Sequence, residues 1–153
     1  MKKILLHAYG NPGRGDDGLG DAFIKEMDEW RTSNGLQSIS TDSNYQLNVE
    51  DVAEMIRYDI VIFIDASTAD IDSYSFTAVE PAPHTSFTTH SISPASLLSL
   101  CMELYTHHPL VFLLQIKGHQ WEFKEGLSSD AVKNLQNAVK FAQEAILKFQ
   151  NQM

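Results

Sequence analysis

The chain has a single cysteine, Cys101, so no intramolecular disulfide and no cysteine-based zinc site can form. A lone cysteine also fits a reducing compartment. Cations are scarce. Lys and Arg number 11 against 20 Asp and Glu, a formal net charge of −9. That balance argues against a groove tracking nucleic-acid phosphates and against a basic membrane patch. Long apolar runs are missing too. The run 4–6 after Met1-Lys2-Lys3 stops at His7, short of the about 7–15 residues of a signal h-region. Nothing approaches the ~20 apolar residues of a membrane span. With only 8 Gly and 5 Pro, and 43% hydrophobic residues, neither a collagen-like nor a disordered chain fits. We therefore expect a soluble, cytoplasmic protein without nucleic-acid or membrane partners; a monomer is expected too, although composition does not bear on it.

What is present is a chain of 153 residues. On the prior of roughly 100–200 residues per domain, this is one domain spanning 1–153. A chain of that size buries about two thirds of the surface it exposes when unfolded, so it needs no staple. No internal repeat, low-complexity tract or linker divides it.

Strand-like and helix-like segments alternate. Residues 3–8 form an apolar run, a first strand. Leu19, Ala22, Phe23, Met27 and Trp30 recur at helical spacing, with Asp21, Lys25, Asp28 and Glu29 opposite. Residues 36–41 read as a weak strand. Val49, Val52, Ala53 and Ile56 predict a short helix capped by Asn48. Residues 60–64, Ile-Val-Ile-Phe-Ile, are apolar on both faces, as a central parallel strand requires. Residues 74–79 alternate like an edge strand. Ser93-Pro94 opens a helix with an apolar face of Leu97, Leu98, Cys101, Leu104 and Tyr105. Residues 110–116 form another buried strand. Ser128 or Ser129 caps a last helix, striped by Val132, Leu135, Val139, Ala142, Ile146 and Phe149. This order predicts an α/β fold with a largely parallel sheet covered on both sides. Ligands in such folds sit beyond the carboxyl ends of the strands.

Three loops at that end hold candidate chemistry. The first, 10–20, contains five glycines and the pair Asp16-Asp17. Its stretch Gly13-Arg14-Gly15-Asp16-Asp17-Gly18 fits G-x-G-x-x-G, but two carboxylates would occupy the place of a pyrophosphate. One aspartate suffices to favour the helix's positive end. Two adjacent ones in a glycine-rich loop point to a cation. The second candidate is Asp65, directly after the 60–64 strand, which reads equally as an Asx-turn. The third is His90, just ahead of a helix start. Two carboxylates and an imidazole suit a borderline divalent metal such as Ni, Zn, Fe or Mn, and three protein ligands leave an open position.

The remaining candidates are weaker. Cys101 reads as a small core residue. Met27, Met55 and Met102 fall at apolar spacing and read as core. His107-His108-Pro109 reads as a polar loop. Lys133, Lys140, Glu144 and Lys148 form a solvated face. No G-x-S-x-G elbow and no H-E-x-x-H helix is present.

Taken together, Gly10-Asn11 with Asp16-Asp17-Gly18-Leu19-Gly20, then Ile64-Asp65-Ala66, then Thr89-His90-Ser91-Ile92-Ser93-Pro94, resemble the [NiFe]-hydrogenase maturation proteases. Residues 113–116, and Gly126-Leu127-Ser128 before a long helix, extend the likeness across most of the chain. The resemblance implies a three-layer αβα sandwich with a twisted, mostly parallel five-stranded sheet. It implies a metal-dependent aspartic-type or metallo endopeptidase. Such an enzyme removes the C-terminal extension of the hydrogenase large-subunit precursor after nickel insertion. Its nickel arrives with the substrate, so the free enzyme is expected to be metal-free. Carried over residue by residue, the metal-engaging positions are Asp17, Asp65 and His90, with Asp16 supporting a ligand or capping the helix, or the two aspartates reversed. Many members have glutamate where this chain has Asp17, and a Gly-Ile-Gln-Pro-like stretch where it has Gln115-Ile116-Lys117-Gly118.

Rival readings are a phospho-receiver-like signalling domain, with Lys117 after its last strand, a nickel-dependent binding module that does not cut, and a general metal-dependent hydrolase.

Overall fold

The computed structural model describes residues 1–82 and 92–152. His90 therefore lies outside the described residues.

The element order is β1 (Ile4–Tyr9), a 3-10 turn (Gly15–Gly18), α1 (Leu19–Ser33), β2 (Ile39–Asn44), α2 (Asp51–Met55), β3 (Ile60–Ser67), β4 (Tyr74–Ala78), α3 (Pro94–Leu104), β5 (Leu110–Lys117) and α4 (Ser129–Asn151). The strands form one 5-stranded sheet in the order β2-β1-β3-β5-β4. The β1–β2, β1–β3 and β3–β5 pairs are parallel, and edge strand β4 runs antiparallel to β5. Residue alternation sends side chains of one strand to opposite faces. Ile4, Leu6 and Ala8 join Phe23 and Met27 of α1 and Ala138, Ala142 and Ile146 of α4 on one face. Leu5, Val61 and Phe63 join Val52 and Met55 of α2 and Leu97 and Cys101 of α3 on the other. The fold is thus the expected three-layer α/β arrangement around a mostly parallel sheet.

Several boundaries differ from the sequence reading, each for a local reason. Strand β2 begins at Ile39 rather than residue 36, because residues 34–36 complete the exit turn of α1. Gly35 there has φ 64°, and the Leu36 amide donates to the Arg31 carbonyl at 2.9 Å. Helix α2 starts at Asp51, and Asn48 does not cap it. Instead the Asp51 carboxylate accepts from the Asn48 amide at 2.8 Å. Strand β3 continues to Ser67, so Asp65 lies inside the strand, opposite Gln115 of β5, rather than in a following loop.

Helix faces are also narrower than expected. Leu104, Tyr105 and Met102 at the end of α3 are exposed, as is Val132 of α4. A helix on one face of a sheet buries only a stripe. In α4 the stripe is Ala131, Leu135, Ala138, Val139, Ala142 and Ile146. The caps of α3 and α4 follow expectation. Ser93 and Ser96 form a reciprocal capping box ahead of Pro94, and the Ser128 hydroxyl accepts from the Ala131 amide. Among the described residues, no helix is long and apolar enough to cross a membrane.

Candidate active site

Adjacent central strands β1 and β3 diverge in connectivity: the chain leaves β1 for edge strand β2, and leaves β3 for β4 and β5 on the other side. Their carboxyl ends therefore flank a switch point, the crevice where ligands bind in open α/β sheets. Tyr9 ends β1 there. Asp65 sits near the end of β3, one step beyond the Ala8–Ile64 pairing.

The glycine-rich loop folds back over this edge. Gly10 has φ 139°, and a Cβ there would overlap the Asp17 carbonyl. The Asp17 carboxylate accepts from the Asn11 amide at 2.7 Å, while the Asn11 side chain accepts from the Gly13 amide at 2.9 Å. These bonds close the loop and hold the half-buried Asp17 carboxylate next to Asp65. One donor leaves most of its lone pairs open.

Asp16, its neighbour, is placed very differently. It is 0% exposed. Its carboxylate accepts from the amides of His119, Gln120 and Ser128 at 2.7, 2.8 and 2.8 Å, and from the Ser128 hydroxyl at 2.7 Å. Burial opposes its ionisation, but these four donors outweigh that and hold its pKa below the ordinary carboxylate value. The clasp continues through the backbone. The Gly15 amide donates to the Lys124 carbonyl at 2.8 Å, and the Asp16 amide to the Gln120 carbonyl at 2.7 Å. Arg14 donates to the Trp121 carbonyl and lies over the Phe123 ring, 5.2 Å from its centroid. Asp16 thus anchors the 118–128 loop to the glycine-rich loop, and its lone-pair sites are taken. A receiver-type pair of free acids is not offered here.

Asp65 is the titratable centre. Burial, then the neighbouring Asp17 carboxylate, raise its pKa to about 7, against hydrogen bonds from the Tyr9 hydroxyl and the Ala66 amide. Tyr9 in turn holds its proton far above the ordinary phenol range, through burial and then the charge and hydrogen bond of Asp65. Its ring meets Phe63 edge-on, centroids 6.5 Å apart at 73°.

Of the sequence-predicted ligands, Asp17 and Asp65 come together and Asp16 turns inward. His90 lies outside the described residues. Among the described residues, no three His, Cys, Asp or Glu side chains gather as a metal site. Cys101 is buried in the α3 face, and burial pushes its thiol up to about 11, which suits a core residue. Sequence reasoning missed Tyr9. The available signal was an aromatic with a polar tip at the end of a buried strand, one residue before the glycine-rich loop.

No protein-family model and no curated protein matches the chain. Solved structures do. The hydrogenase maturating endopeptidase HybD from E. coli aligns at 16% identity and TM-score 0.76, over 95% of this chain and 93% of its own. The [NiFe] hydrogenase maturation protease HycI from Thermococcus kodakarensis KOD1 aligns at 17% identity and TM-score 0.71, over 94% and 91%. The hydrogenase 2 maturation peptidase from a Thaumarchaeota archaeon aligns at 18% identity and TM-score 0.68, over 95% and 98%. The resemblance carried by the sequence motifs therefore extends to the three-dimensional structure: this chain has the fold of the hydrogenase maturation proteases.

Proposed function

We propose that this protein is an endopeptidase that removes the C-terminal extension of a [NiFe]-hydrogenase large-subunit precursor once nickel has been inserted. The observation that carries the reading is the Asp17–Asp65 pair at the β1/β3 switch point. On a fold shared with hydrogenase maturation endopeptidases, two carboxylates from separate elements share one crevice, and one of them titrates at about 7. A carboxyl group perturbed by burial and a like charge at such an edge is a functional-site candidate with a physical rationale.

In this reading the nickel belongs to the substrate. Asp17, Asp65 and His90 engage it, so a precursor lacking the ion fails to dock its scissile bond. Oxygen and imidazole donors suit such a borderline cation. Asp65 has a second capacity. A carboxyl group with a pKa near 7 is present in both protonation states at neutral pH, which suits transfer of a proton from an attacking water toward the leaving amide nitrogen. The reaction consumes one water and yields the trimmed subunit and a free C-terminal peptide. No serine or cysteine nucleophile is required. The protein works as a monomer in the cytoplasm, where its precursor is made.

Alanine at position 17 or 90, or asparagine at position 65, should abolish processing while the circular dichroism spectrum stays that of the wild type. Normal processing by His90→Ala would remove the histidine from the site.

A further inference from the structure

We propose that Phe123 and Tyr45, exposed rings on either side of the glycine-rich loop, form the docking rim that takes the surface of the hydrogenase large-subunit precursor around its nickel. The inference rests on the protease reading and names the part of this chain that holds the partner.

The sheet sets the placement. Strand β2 lies on one side of β1, and β3 and β5 lie on the other. All four run parallel, so the segments after Asn44 and after Lys117 both leave at the carboxyl edge that carries the crevice. The glycine-rich loop is bonded to both segments. The Gly10 amide donates to the Asn44 carbonyl at 3.0 Å, and the Gly15 amide to the Lys124 carbonyl at 2.8 Å. Next to these two anchors stand Tyr45, 74% exposed, and Phe123, 80% exposed.

Phe123 is held out to solvent by its surroundings. It occupies the apex of a three-residue turn, closed by the Lys124 amide donating to the Glu122 carbonyl at 2.8 Å. The Arg14 guanidinium lies 5.2 Å from its ring centroid, and Arg14 Nε donates to the Trp121 carbonyl at 3.2 Å. The Arg14 carbonyl accepts from the Asp17 amide at 3.1 Å, so a single residue joins the ring to an acid of the crevice. Arg14 is itself exposed, and a partner covering Phe123 also meets a guanidinium, which suits carbonyl and carboxylate oxygens.

Single exposed apolar residues are ordinary on protein surfaces. These two differ in what must cover them. A metal held by a protein reaches Asp17 and Asp65 only if that protein's surface comes down on the carboxyl edge. A stable interface buries about 800 Å² per partner, a disc of roughly 16 Å radius. Centred on the crevice, such a disc takes in the residues bonded to the glycine-rich loop. Aromatic residues and arginine are enriched in such contacts. A ring carried on a closed turn also loses little entropy when it is covered.

The test is cleavage of nickel-loaded precursor by the full chain carrying Tyr45→Ala together with Phe123→Ala. We expect KM to rise at least about tenfold while kcat stays within about twofold, the mark of lost docking rather than lost chemistry. The melting temperature should stay within about 2 °C, since both rings stand mostly in solvent. Tyr45→Phe together with Phe123→Tyr keeps both rings and should keep the wild-type KM. Leu147→Ala, an exposed residue near the far end of α4, should keep it too. An alanine pair with wild-type KM, or with a fall in kcat alone, overturns the docking rim. So does an equal rise in KM for the ring-keeping pair or for Leu147→Ala. A wild-type chain that cleaves no loaded precursor overturns the protease reading and the rim with it. A cleaving wild type whose KM survives the alanine pair overturns the rim alone.

Discussion

Replacing Asp16 should damage the protein's stability more than its location in a loop would lead one to expect. The side chain is 0% exposed and accepts four hydrogen bonds of 2.7–2.8 Å, all from residues more than 100 positions away in sequence. Hydrogen bonds to a charged acceptor contribute about 1.5–3 kcal/mol each, and abandoned buried donors cost about 1–3 kcal/mol. These effects overlap, so their sum overstates the loss. Asp16→Ala leaves three amides and a hydroxyl without their acceptor, and we expect it to cost about 3–5 kcal/mol, among the larger single-substitution losses. At about 2–4 °C per kcal/mol for a chain of this size, the melting temperature should drop by about 6–20 °C. Asp16→Asn keeps the volume but turns one acceptor into an NH2 group facing N–H donors, so it should also be destabilising. The pH dependence has a definite sign. The folded-state pKa of Asp16 lies below the ordinary 3.8, so its contribution is complete above that value and fades as pH falls through the folded pKa. Urea unfolding at pH 7 and near pH 3 would measure this. The variant's deficit should be large at neutral pH and smaller in acid. An Asp16→Asn deficit below about 0.5 kcal/mol at pH 7 would refute the clasp as described.

Asp65 should behave in the opposite sense. Its folded-state pKa of about 7 lies above the ordinary 3.8, so the fold prefers the protonated form and loses stability as pH rises from about 4 to 7. Asp65→Asn should therefore melt higher than the wild type at pH 8, with the gap closing toward pH 4, while processing is lost; a variant that melts lower at pH 8 contradicts the burial argument. Gly10→Ala should lose processing and stability together, since its φ of 139° disfavours a side chain and its Cβ would overlap the Asp17 carbonyl. Wild-type cleavage by Gly10→Ala would show that the loop's path matters less than its acids.

Much of the architecture was legible because hydrophobic patterning carries it. The all-apolar 60–64 run belongs to a central strand, β3, and the Ser93-Pro94 start and Ser128 cap lie where the local chemistry placed them. Boundaries slipped where tertiary pairing overrode propensity. Asp65-Ala66-Ser67 looks like an exit turn, yet the ladder with Gln115, Ile116 and Lys117 keeps it extended. The Leu36 segment looked like strand, yet the backbone turn closing α1 claimed it. In the site, the acidic pair could be located from sequence but not divided. Asp16 and Asp17 are neighbours of equal chemistry, and only the folding of the 118–128 loop onto Asp16 sets them apart. The pairing of β1 with β3, which brings Tyr9 and Asp65 to the same sheet edge, was hidden for the same reason, because it joins strands 56 positions apart through a parallel register that no local pattern announces.

The central claim is that the acidic crevice reads nickel on a protein substrate and licenses its cleavage. The most direct measurement follows the mass of a [NiFe]-hydrogenase large-subunit precursor, nickel-loaded or nickel-free, after incubation with the purified chain. The account predicts loss of the C-terminal peptide from the loaded precursor alone. Intact precursor in both samples would contradict the protease reading, and equal cleavage of both would contradict the metal check.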